Sequence, residues 1–416
     1  MLSKKENFYI KKEEKFCSNT YHPLPVVLSR GKGVYVWDIH GKKYFDFLSS
    51  YSAVNQGHCN RKILNAFLKQ SKKLTLTSRA FYNNELGNSL QYITSIFGYD
   101  KMLPMNSGAE AVEAALKICR KWGYEVKKVK KNKAKIIVCD GNFHGRTTTV
   151  ISFSTCNESK KNFGPLTLGF EIIDYNNVNK LEEALKKDKN IVGFLVEPIQ
   201  GEGGVVVPDD GYLKNSKKLC EKYNVLFIAD EIQTGICRTG KMLACDHEEI
   251  KPDIVILGKA LSGGFYPVSG VLANSDIMGV LKVGQHGSTF GGNPLGSVVA
   301  RESIKFAVDK DLSKNARIMG DLFRHNLEKL KDKHKLIKKV RGKGLLNAIV
   351  LDCEESSKIP WQLSIKMRNN GVLAKPTQGN KIRFAPPLII TKKQILKAIQ
   401  WIDTSFSELK NGYSSK

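Results

Sequence analysis

No apolar run in the 416-residue chain approaches the ~18 residues that a membrane-crossing helix requires, so a membrane span is not expected. Cysteine is sparse and shows no pairing pattern: nine residues, an odd number, lie scattered from Cys17 to Cys353 without a C-x-x-C. This argues against a disulfide framework and against a zinc cluster, so reduced, mostly buried thiols and no metal are expected. Acid is scarce beside base. Asp and Glu number 40 against 66 Lys and Arg, a formal charge of +26. Such an excess invites a nucleic-acid reading. Its clusters at 127–135 and 329–339, however, carry no interleaved aromatics and sit in no recognition motif. They are lysine-rich, and a compact ammonium suits a solvated face better than planar phosphate recognition. No nucleic-acid partner is therefore expected, though a positive surface would draw dicarboxylates inward. The opening stretch MLSKKENFYIKKEEKF has no apolar core and mixes Glu with Lys, unlike a secretory or transit peptide. A cytoplasmic location is the expectation that follows.

What is present reads as α/β. Between about 100 and 295, strand-like segments (IIVCDG, GFLVEP, VLFIAD, IVILGK, SGVLAN) alternate with helical or irregular connections, which implies a largely parallel sheet covered on both faces. Residues 1 to about 20 carry no clear pattern and are expected to be weakly ordered. Val34–Trp37 and Tyr44–Phe47 flank a turn-like break and predict a hairpin. A helical pattern begins at Arg61, and another runs from Leu295 to about Lys331. The expected division is an N-terminal segment with the hairpin (1–51), a large domain (52–297) and a smaller α/β domain (298–416).

Two short apolar runs carry the chemistry. Val225–Ala229 stops on Asp230, and Ile254–Leu257 stops on Gly258-Lys259. Ligands of open α/β sheets bind beyond the carboxyl ends of the strands, so the acid and the lysine would face one pocket. A desolvated lysine forms Schiff bases readily. An acid opposite it would keep a pyridinium nitrogen protonated, and the two together are the fixed points of a pyridoxal-phosphate site. Either residue alone would be an ordinary strand end. Ser107-Gly108 opens a strong helix whose free N–H groups suit a phosphate.

Asp230-Glu-Ile-Gln-Thr-Gly, then Arg238-Thr-Gly, then Lys259-Ala-Leu-Ser-Gly-Gly resembles the signature of class III (subgroup II) aminotransferases. The resemblance implies a fold type I (aspartate aminotransferase-like) transferase, with a mostly parallel seven-stranded sheet plus a smaller α/β domain. It makes Lys259 the cofactor lysine and Asp230 the partner of the ring nitrogen. Ser107, Gly108 and Ala109 would bind the phosphate, and Phe143 would stack on the ring. His144, Glu197 and Gln233 would complete the cofactor shell, with Glu197 and Glu202 at a pocket rim. Ser288 and Thr289 would reach the phosphate of a neighbouring subunit, which implies a homodimer with interfacial sites.

Within the family, YHPLPVVLSRGKGVYVWD and KYFDFLSSYSAVNQGHC are similar to members that move the δ-amino group of L-ornithine to 2-oxoglutarate. That likeness implies substrate roles for Tyr21, Tyr51, Arg146, Glu202 and Arg383. Arg146 and Arg383 would hold the two carboxylates of the oxo acid. Glu202 would mask Arg383 while ornithine enters amine-first, and Tyr21 with Arg146 would anchor its far end. Acetylornithine and 4-aminobutyrate transaminases share the cofactor motifs, and an aminomutase of the same fold would need no oxo acid.

Overall fold

The computed structural model describes residues 2–413. Its centre is a seven-stranded sheet of β1 (Lys101–Met105), β2 (Lys135–Cys139), β3 (Phe170–Ile173), β4 (Ile191–Val196), β5 (Leu226–Asp230), β6 (Ile254–Leu257) and β7 (Ser269–Ala273). The spatial order is β1-β7-β6-β5-β4-β2-β3. Only β7 runs antiparallel to its neighbours. Every residue of β4, β5, β6 and β7 is buried, as strands covered on both faces must be.

Helix Gly108–Glu125 covers one face with Ala111, Ala115 and Ile118. It lies so close that a Cβ on Gly123 would fall 2.3 Å from Val192 Cγ1. The opposite face buries Ile137, Phe194 and Phe227 against Leu181 and Leu213, on helices Val178–Lys187 and Tyr212–Lys222.

The expected hairpin forms between Tyr35–Asp38 and Lys43–Asp46, with Leu28–Lys32 as a third strand. Val372–Leu373 extends this ribbon in parallel, which ties the start of the chain to its C-terminal third. A further antiparallel sheet joins Ile337–Lys343, Leu346–Leu351, Lys381–Phe384 and Lys375–Thr377. Between them, Phe47, Phe323 and Phe384 form a buried triangle with ring centroids 5.4–6.2 Å apart.

Two local expectations are corrected. A helix spans Lys4–Phe16, where weak order was expected; Ser3 and Glu6 cap it reciprocally, and it buries nothing. The pattern from Leu295 to Lys331 is two helices, Pro294–Asp309 and Leu312–Lys333. Asp311 turns left-handed (φ 44°) and its carboxylate caps Lys314 N, so the break is made by a cap that apolar spacing does not reveal. The first helix packs on Arg61–Ser71 and Leu86–Phe97, the second on Ile337–Lys343 and the last helix, Lys392–Tyr413. Among the described residues no helix is long and apolar enough to cross a membrane.

The phenylalanine triangle holds the strand that carries Arg383. Truncation by Phe323→Ala leaves a cavity there, and urea denaturation is expected to register a loss of about 3–5 kcal/mol.

Candidate active site

β5 and β6 lie side by side in parallel, with Asp230 opposite Ile256, so both strands end at the same edge. Asp230 terminates β5. One carboxylate oxygen, Oδ2, lies 2.6 Å from His144 Nδ1, and the other accepts the Ile232 N–H at 3.1 Å. Beyond β6 the chain turns sharply: Gly258 is extended, and Lys259 opens a single 3₁₀ turn in the left-handed region (φ 39°). A Cβ on Gly258 would come 3.3 Å from Ile232 Cγ2, so the turn is drawn tight against the loop after Asp230.

These ends border a cavity of about 140 Å³ lined by Gly108, Ala109, Phe143, Glu197, Gln233 and Lys259, with His144 and Asp230 at its base. Lys259 keeps some contact with solvent through the cavity but is otherwise packed round with atoms. Burial lowers its amine to about 8, with Arg383 acting in the same direction and Glu202 opposing. For His144, burial works against protonation, yet the Asp230 carboxylate outweighs it and the imidazole is shifted upward. Its Nε2 is buried with no hydrogen-bond partner among the described residues.

Glu197 is not at a rim. It lies buried and accepts the Phe143 N–H at 2.8 Å and the Gly201 N–H at 3.2 Å; burial pushes its carboxyl up to about 7. Glu202 is partly exposed. It pairs with Arg383 at 2.8 Å (Oε1 to Nη1). Arg383 is 2% exposed and also donates to Gln233 Oε1 at 3.0 Å, while Gln233 Nε2 donates to Glu202 at 3.3 Å. Burial opposes the Glu202 anion, but the charges of Arg383 and Lys259 prevail and its carboxyl is shifted downward. Both ends of the Gln233 amide are thus occupied by this ion pair.

At the other end, Ser107 caps helix Gly108–Glu125, its Oγ accepting the Glu110 N–H while the Glu110 carboxylate takes the Ser107 N–H. Gly108 and Ala109, the next two residues, line the cavity, and N–H groups of a first helical turn have no intrahelical partner. An amine near neutrality, a buried carboxylate held by an imidazole, an aromatic wall and a helix N-terminus are the donor set that pyridoxal phosphate requires.

Besides Ser107, Glu202 and Arg383, five residues named from sequence lie outside this cavity lining. Tyr51 sits over Arg383, 5.0 Å from guanidinium carbon to ring centre. Tyr21, 73% exposed, shares with Tyr51 an adjoining apolar hollow of about 450 Å³. Arg146 is exposed and lies over the Phe143 ring at 5.3 Å. Ser288 Oγ accepts from Asn106 Nδ2 of the same chain at 2.8 Å, and Thr289 is exposed beside it.

Sequence reasoning missed three supports. Ile232 walls the cavity under Gly108, although periodicity has already ended at Asp230. Thr377 Oγ1 donates to the Glu202 carbonyl at 2.9 Å from a distant strand. Ser49 to Ser52 run left-handed through φ values of 48–74° and carry Tyr51 toward Arg383. Asp46 braces that turn by accepting the Leu48 and Ser49 N–H groups at 2.8 Å, and it pairs with His58 at 2.7 Å.

This geometry has close counterparts. Ornithine aminotransferase, mitochondrial, of Drosophila melanogaster is 55% identical over 392 residues, spanning 94% of this chain and 89% of its own. A structure of the ornithine aminotransferase from Toxoplasma gondii, with partial occupancy of PLP at its active site, superposes with a TM-score of 0.96 at 48% identity, covering 98% of this chain and 95% of that one. The acetylornithine aminotransferase of Elizabethkingia anophelis gives 0.90 at 56% identity, with 97% and 99% covered. The fold type I architecture implied by the signature is the one these structures share. The family model for Aminotransferase class-III matches residues 16–406, so the chain belongs to the class III aminotransferases, transaminases that depend on pyridoxal phosphate.

Proposed function

We propose that this enzyme transfers the δ-amino group of L-ornithine to 2-oxoglutarate, giving L-glutamate 5-semialdehyde and L-glutamate. The observation that carries the reading is the Arg383–Glu202 pair, buried and within electrostatic reach of Lys259. An uncovered arginine would repel a substrate that enters amine-first and would bind the carboxylate of an oxo acid. A carboxylate clamped on it at 2.8 Å serves both halves of the cycle, closed for the diamine and open for the diacid. The ornithine aminotransferases among the relatives support the same choice.

Pyridoxal phosphate, when bound, supplies an aldehyde that captures the amine and a protonated ring that takes up electron density from the substrate carbon. Lys259 would hold the cofactor, and its amine would move the proton at the ornithine Cδ as base and then as acid. Asp230, held by His144 at 2.6 Å, would pair with the ring nitrogen. Ser107, Gly108 and Ala109 would receive the phosphate, and Phe143 would wall the ring. Glu197 holds the Phe143 backbone in place, and Gln233 links the cofactor side to Arg383. Tyr21, Tyr51 and Arg146 orient the far end of ornithine, and Arg146 takes the second carboxylate of the oxo acid.

The active form in this proposal is a homodimer in which Ser288 and Thr289 complete the phosphate site of the other copy. Exposed Phe81, Tyr82, Val283 and Phe290 supply the apolar surface that supports it. The division at 51 and 297 is likewise carried as part of the proposal. Location is separate: the cytoplasm is proposed, the fly relative carries "mitochondrial" in its name, and fractionation of cells expressing the full chain decides.

Four outcomes test the assignment. Purified enzyme with ornithine and 2-oxoglutarate should yield a pyrroline trapped by o-aminobenzaldehyde. Lys259→Ala should lose the yellow covalent adduct and at least about a hundredfold in turnover; retention of both overturns the role, and faster turnover of Nα-acetylornithine transfers the assignment to that substrate. Glu202→Gln should lower kcat/KM for ornithine by about tenfold or more while sparing the 2-oxoglutarate half-reaction. In cofactor-free protein, acylation of Lys259 by trace acetic anhydride, read by peptide mass spectrometry, should rise with pH around a midpoint near 8. The sign follows from the amine: protonated below that value and inert, free above it.

A further inference from the structure

At the opposite edge of the central sheet from Lys259 lies a second concavity of about 750 Å³. It opens where β2 and β4 begin, whereas Asp230 and Lys259 stand at or just beyond the far ends of β5 and β6. Strands of this length place the two sites roughly 17–20 Å apart along the strand direction. Six lysines border it, Lys127, Lys128, Lys130, Lys133, Lys135 and Lys189, against a single acid, Asp188. That acid is already neutralised. Lys135 Nζ lies 2.7 Å from its Oδ2, and its Oδ1 accepts the Asn190 N–H at 2.8 Å.

Lys127 marks the floor. Its half-buried ammonium donates to the carbonyls of Ile191 at 2.6 Å and Tyr223 at 3.1 Å and pairs with no carboxylate among the described residues. Burial shifts it downward, and the one acid of the lining, Asp188, is bound to Lys135, so the Lys127 ammonium has carbonyl partners but no bonded counter-charge among the described residues. Asn190 and Asn224 add neutral polar groups to the wall.

We propose that this hollow binds a small, multiply charged phosphate anion such as a di- or triphosphate. Its size falls within the roughly 300–1,000 Å³ typical of small-molecule sites. The lining contains neither aromatic nor arginine, which removes the stacking platforms and planar forks on which nucleic-acid binding relies. What remains is a ring of point charges that converge on a compact polyanion.

The test uses the cofactor-loaded full chain, with sodium tripolyphosphate as the probe, followed by calorimetric titration and thermal unfolding. The expected result is saturable binding near one equivalent, a raised melting temperature, and affinity that falls steeply with added salt. Lys130→Gln with Lys133→Gln, both exposed, should weaken binding by about tenfold or more. A control that removes the same charge from the other basic cluster, Lys335→Gln with Lys339→Gln, should leave it unchanged. Equal losses in both pairs would reduce the effect to diffuse surface charge and overturn the proposal. So would absence of binding, or a single-stranded oligouridylate that binds through Lys130 and Lys133 more tightly than tripolyphosphate.

Discussion

The parallel pairing of β5 with β6 is the constraint from which the site follows. Because Asp230 stands opposite Ile256, the carboxylate and the lysine three residues further on emerge from one edge of one sheet. A one-residue slip would turn Asp230 to the other face and separate the two groups. Burial of both strands prevents that slip, since their apolar side chains alternate between opposite faces: Leu226, Ile228, Ile254 and Ile256 pack in one cluster, Phe227 with Ala229 and Val255 with Leu257 in others. The scaffold spends its most apolar segments on placing two polar groups, with a left-handed Lys259 as the local strain this requires.

Around these two groups the site gathers charges that would be costly to bury singly. Asp230 is held by His144, Glu202 by Arg383, and Glu197 by two backbone N–H groups. Lys259 and Glu197 have no bonded counter-charge among the described residues, and burial draws both toward neutrality. Burial by itself favours the neutral form of each group; the charges of Arg383 and Lys259 reverse that for Glu202, whereas the Lys259 amine is left able to shed its proton. Gln233 couples the layers, since its amide touches both members of the Arg383–Glu202 pair while its side chain lines the cavity.

Tertiary closure brings Arg383, Glu202 and Tyr51 together. Arg383 comes from a strand of the C-terminal sheet, Glu202 from the loop after β4, and Tyr51 from a left-handed turn near the start of the chain. Arg238 ties these regions from within: its buried guanidinium donates to the carbonyls of Leu345 and Pro386 and to Asn55. The site is thus assembled from parts far apart in the chain, and its mouth depends on their docking.

Much of this was legible in the residues themselves. Short β-branched runs ending on Asp230 and Lys259, a capped helix at Ser107 and a glycine-rich loop are local signals, because strand burial, helix capping and turn chemistry act over a few residues. They determined the α/β class, the sheet and the cofactor end of the site. Apolar spacing failed where a polar cap interrupts a helix, at Asp311, and where a charged helix with no buried face still forms, at Lys4–Phe16. Tertiary structure alone decided that Glu197 lies beneath Phe143 rather than at a rim, that His144 holds Asp230, and that six lysines enclose a hollow. Each of those depends on contacts between residues more than fifty positions apart, and a polar side chain carries no periodic mark of the partner it will meet.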